Sequence, residues 1–110
     1  MADVTSEVRV MGAEGPSGLT LRTSGLSARG LPELRAAGLP PYLGQGWARV
    51  LAALAQRLAA TGEVPGGVGD VEIRLTLAAD GTLEPVPPPG REPAEWFRDV
   101  VLRLFPEASA

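Results

Sequence analysis

The chain contains no histidine, no cysteine and no lysine, and all ten of its basic residues are arginines. Each absence removes a chemistry. Without His there is no side chain whose unperturbed pKa lies close to 7, without Cys no thiolate, and without Lys no Schiff base or phosphate-gripping ammonium. Carboxylates, Ser and Thr hydroxyls, arginine and a single tyrosine remain. Ser6, Ser17, Ser24 and Ser27 have only carboxylates to serve as bases. A buried Glu can be tuned towards 7, but no spacing here ties one to a serine. The sequence therefore argues against an enzyme, and it assigns no catalytic residue, cofactor or metal.

Long apolar runs are lacking as well. No stretch reaches the roughly 18 residues of a membrane span, and Met1–Val10 carries acids and no continuous apolar run, so neither a membrane segment nor a leader peptide is expected. A basic cluster is also missing. The arginines stand singly among 13 acids for a net charge of −3, which makes nucleic acid an unexpected partner. The lack of cysteine fits a cytoplasmic protein. Arginine in place of lysine, with abundant Ala, Gly and Pro, points to a GC-rich bacterial genome. At 110 residues, 45% hydrophobic and 21% charged, residues 1–110 are expected to form a single domain with one core.

What is present is periodic. Val4, Val8 and Val10 alternate with polar residues and predict a strand over Val4–Met11. The Gly/Pro/Ser-rich stretch Gly12–Gly18 reads as a loop, and Leu19, Leu21 and Thr23 as a second strand paired back on the first. Leu43, Trp47, Val50, Leu51, Leu54 and Leu58 follow three- and four-residue steps, which predicts an amphipathic helix over Tyr42–Thr61. Pro41 is placed to start it and Gly62 to cap it. Gly44 and Gly46 each cost about 1 kcal/mol relative to Ala inside a helix, so its first turn is expected to be irregular. Beyond the loop Glu63–Asp70, strict alternation over Val71–Leu77 predicts a strand, Asp80-Gly81 a tight turn and Leu83–Val86 the return strand. Pro85 cannot donate to a ladder, so that return strand is expected at an edge. A second helix is predicted from Pro93 to Phe105, with Trp96, Phe97, Val100, Val101 and Leu104 on one side. The expected fold is α+β, an antiparallel sheet of four or five strands with two amphipathic helices packed on one face.

Thr23-Ser24-Gly25-Leu26, Gly30-Leu31-Pro32-Glu33-Leu34 and Gly38-Leu39-Pro40-Pro41, followed by the Ala/Leu helix, stand in an order and spacing that resembles an uncharacterised bacterial domain-of-unknown-function family. Its members carry Thr-Val-Gly-Leu, Gly-His-Pro-Glu-Leu and Gly-Leu-Pro segments before an amphipathic helix. The likeness covers residues 20–62. Leu31 stands where the family usually has His and Arg22 where an aromatic is common, so a site built on that His is expected to be lost or altered here. The resemblance also implies that Glu33–Ala37, which helix propensity alone makes a helical turn, is a strand. We adopt the strand. No activity comes with the resemblance.

Two sets of residues are candidates for function. In the first, Arg22, Thr23, Glu33 and Arg35 line a small-molecule pocket at the Thr23–Glu33 loop. The plainer alternative is a strand connection shaped by its glycines and Pro32, with Glu33 a solvated or ion-paired acid. In the second, the sparsely charged outer face of the long helix, Arg49, Ala53, Gln56 and Ala60, joins Leu102, which lies off the stripe of the last helix, in an interface with another copy of the chain. Glu92, Glu95 and Asp99 lack the oxygen count and loop spacing of a cation site and read as helix-terminal and ion-paired charges. Pro85–Arg91 reads as a stiff crossover before a polyproline ligand. The glycine strings lack the lysine and spacing of a phosphate loop, and Trp47 and Trp96 read as core anchors. The expectation is a non-enzymatic interaction module that forms homodimers. The alternative is a small-molecule-binding or weakly catalytic domain at the loop.

Overall fold

The structure is a computed structural model that describes residues 8–16, 18–69 and 71–105. Strands β1 (Arg9–Gly15) and β2 (Gly18–Ser24) form an antiparallel hairpin. The chain then passes through a 3-10 turn at Ser27–Arg29 into β3 (Arg35–Leu39), which pairs antiparallel with β2. A second 3-10 turn, Pro41–Leu43, leads into helix α1 (Gly44–Thr61). Short strands β4 (Gly67–Val68) and β5 (Val71–Glu72) pair with each other, as do β6 (Arg74–Leu77) and β7 (Leu83–Val86), before helix α2 (Pro93–Leu104).

The fold is α+β, as the sequence implies, but the expected single sheet of four or five strands is divided. The described residues form sheets of three, two and two strands. The reason lies in the backbone of β7. Leu83 donates its N–H to the carbonyl of Glu33 at 2.8 Å, forming a lone parallel bridge between Leu34 and Leu83. Backbone groups alternate sides along a strand, so Pro85 is the next residue of β7 turned towards β3. It has no N–H, and the ladder stops after one rung. The three-stranded sheet and the β6–β7 hairpin thus lie side by side without merging.

Two strand boundaries also differ from expectation. β1 continues to Gly15, and Gly12–Gly15 is strand rather than loop. Its far end is exposed on both faces, so no alternation marks it. Val4–Glu7, the start of the expected first strand, lies outside the described residues. The expected strand Val71–Leu77 is interrupted at Ile73, whose N–H turns away to the Gly66 carbonyl at 2.9 Å.

The core is continuous. Leu21, Ala36 and Leu39 from the three-stranded sheet, Leu34 just before β3, Ile73 between β5 and β6, Leu83 of β7 and the α1 stripe are all buried together. The α1 stripe comprises Trp47, Val50, Leu51, Leu54 and Leu58, and the helix ends where Gly62, with φ 75°, sends its N–H back to Leu58. Pro93 opens α2, and Trp96, Phe97, Val100 and Val101 face inward. The two helices meet at an aromatic cluster. Trp47 meets Phe97 edge-on at 5.1 Å and Trp96 at 5.7 Å, and its indole N–H donates to the Phe97 carbonyl at 2.9 Å. Gly46 makes this approach possible, because a Cβ there would stand 2.7 Å from Val101 Cγ1. No helix among the described residues is long and apolar enough to cross a membrane.

Candidate functional site

The loop singled out by sequence is organised around one carboxylate. β2 ends at Thr23–Ser24, Gly25 adopts φ 119°, and Leu26 drops fully into the core ahead of the 3-10 turn. That turn leaves backbone N–H groups without internal partners, and Glu33 supplies the acceptors. Its Oε2 accepts from the N–H of Ser27 at 2.8 Å and of Gly25 at 3.2 Å, while Oε1 accepts from the Thr23 hydroxyl at 2.8 Å and the Leu26 N–H at 3.3 Å. The Thr23 hydroxyl in turn accepts the Leu34 N–H at 2.8 Å, which secures the buried junction of β2 with β3. Desolvation pushes the Glu33 pKa up. Hydrogen bonds from the Ser27 backbone, the Thr23 and Ser27 hydroxyls and the Leu26 backbone outweigh it and hold the carboxyl below its ordinary value.

The four pocket candidates do not converge. Thr23, buried, and Glu33, half-buried, form one hydrogen-bonded unit. Arg22 and Arg35 sit directly opposite each other on the other face of the sheet, paired across β2 and β3. Like charges so placed repel, and Arg35 turns to Glu84 of β7 at 2.6 Å. That ion pair spans the seam where the ladder fails. Leu31 packs half-buried against the core.

Of the candidate interface residues, Arg49, Ala53, Gln56 and Ala60 follow one another at helical spacing along α1, and Leu102 stands on α2. Arg49 lies over the Phe105 ring, 4.0 Å from its centroid, and so helps fasten the end of α2 to α1. Ala53 is half-buried, whereas Gln56 and Ala60 are exposed. Leu102 is 37% exposed and borders a groove of about 370 Å3 with Tyr42, Gln45, Arg98 and Val101. Tyr42, 71% exposed, forms the rim. On the neighbouring side of α2, Asp99 pairs with Arg91. No group of three potential metal ligands occurs among the described residues.

One exposed site was not visible to sequence reasoning. Among the described residues no strand pairs with the outer edge of β6, and Leu77 at its end is 68% exposed. The sequence signal was present in the alternation of Val71–Leu77. It did not say which residues of that run the core covers. Comparison with family models, curated proteins and solved structures gives no match to the chain.

Proposed function

We propose that the chain is a bacterial cytoplasmic interaction module without catalytic activity of its own, and that its partner is a second copy of itself. The observation behind this reading is the distribution of unsatisfied surface. The polar groups that looked chemically interesting are occupied within the chain: the Glu33 oxygens accept from Thr23, Gly25, Leu26 and Ser27, and Arg35 has Glu84. The apolar surface is what remains open. The core closes without Tyr42, Leu77 and Leu102, which stand 71%, 68% and 37% exposed. Exposed apolar groups at a groove and at a strand edge are what association covers.

Native mass spectrometry with light scattering across a hundred-fold dilution, from about micromolar Kd upwards, tests this reading. A dimer that dissociates on dilution is the expected result. A monomer at every concentration would overturn it, and a reproducible extra mass on each subunit would redirect attention to a bound small molecule.

A further inference from the structure

We infer that the second copy docks at the outer edge of β6, joining the two β6–β7 hairpins into a four-stranded sheet about a two-fold axis at Thr76. This rests on the self-association reading and names its surface. The Ala78 N–H donates to Thr82 across the hairpin, and Thr76 pairs with Glu84. Alternation then turns the N–H and C=O of Leu75 and Leu77 away from β7. The same parity holds at Ile73, whose N–H reaches Gly66, and β4 closes the edge there. Among the described residues nothing pairs with Leu75 and Leu77 on that side, and they form a short template of the kind that accepts an added strand.

That template is complementary to itself in one register. With Leu75 opposite Leu77 of the second copy, all four outward backbone groups of each copy are paired. Moving the register one way sets Leu77 opposite Ile73, whose N–H is already bonded to Gly66, and moving it the other way sets Leu75 opposite Ala79 in the turn. The chosen register lays the exposed Leu77 beside the second copy's half-buried Leu75 on the core-facing side. On the opposite face Thr76 meets Thr76 at the axis, a favourable cross-strand pair. Arg74 lies diagonal to Asp80 of the second copy, so the charges are complementary. Asp80 is held in the turn by the Thr82 hydroxyl at 2.6 Å and the Thr82 N–H at 3.0 Å.

The native chain has no cysteine, so Thr76→Cys introduces a single thiol. Across a non-hydrogen-bonded antiparallel pair the two Cα atoms would lie about 4.5 Å apart, within disulfide reach. Under mild oxidation Thr76→Cys should form a disulfide-linked dimer at least about tenfold faster than Gln56→Cys on the exposed face of α1. Leu77→Pro, which removes an outward donor and leaves the β7 ladder intact, should shift the native mass to monomer with an unchanged circular dichroism spectrum. A native dimer in which Thr76→Cys links no faster than Gln56→Cys would overturn the edge and leave self-association standing. A wild-type monomer at all concentrations would overturn both. If Leu77→Pro fails to fold, the cysteine pair still decides.

Discussion

Replacing Glu33 by Gln removes the charge at the centre of the β2–β3 loop with almost no change of shape. One carboxylate oxygen accepts from Thr23 and Leu26 and the other from Gly25 and Ser27. An amide keeps one acceptor and turns its NH2 either towards the Gly25 and Ser27 N–H groups or towards the Leu26 N–H and the Thr23 hydroxyl, so in either orientation two hydrogen bonds to a charged acceptor are lost. Such bonds contribute about 2 kcal/mol each. Glu33 is only half-buried, and water reaching it cuts that sum roughly in half, leaving an expected loss of about 2 kcal/mol at pH 7. For a chain of this size the thermal midpoint should fall by about 10 °C. The pH dependence supplies a sharper check. The Glu33 pKa is lowered in the folded chain, so its stabilisation is fully present above the ordinary value of 4.5 and is lost as pH falls through the lower folded value. Urea titrations of wild type and Glu33→Gln from pH 7 to pH 3 should show a gap that is constant down to pH 4.5 and narrows below it. A gap absent at pH 7, or unchanged at pH 3, would refute the assignment of Glu33 as an ionised loop cap.

Thr23→Val keeps the volume but leaves the Leu34 N–H buried without its acceptor, and should cost about 1–3 kcal/mol in urea unfolding. Equal stability would mean that the hydroxyl is not part of the junction. Gly46→Ala should destabilise by about 1–2 kcal/mol although alanine favours helix by about 1, because the new methyl overlaps Val101. Combined with Val101→Ala, the loss should fall short of the sum of the two single changes by at least about 1 kcal/mol. Additivity would show that the helices do not approach there. Trp47→Phe removes the bond to the Phe97 carbonyl and part of a fully buried ring, with an expected cost of about 2–3 kcal/mol. Trp96 fluorescence reports the unfolding in this variant, and wild-type stability would place Trp47 outside the core.

Helices α1 and α2 were legible in the sequence because apolar residues at three- and four-residue steps have one reading, and Gly62 and Pro93 mark ends that local backbone preference alone decides. Strand existence was legible for the same local reason at β2, β6 and β7. What sequence could not give is anything set by which way a backbone group points. Whether Pro85 interrupts a ladder depends on the parity of β7 relative to β3, and that parity follows from the Leu83–Glu33 bond between elements 50 positions apart in sequence. Thr23 and Glu33 were marked together, and they do bond each other. Yet the carboxylate turns inward to Gly25, Leu26 and Ser27 because the φ of Gly25 curls the loop around it. Gly46 shows the same limit from the other side. Read locally it is a costly helix residue. Read across the α1–α2 contact it is the residue that lets Trp47 reach Phe97, so its apparent cost is the condition of the helix packing rather than a flaw in the helix. The same reasoning bears on β6. Alternation sets Leu77 on the same face as Leu75, and the end of the hairpin carries it past the core and leaves it 68% exposed, which is the burial that the proposed pairing with a second copy would supply.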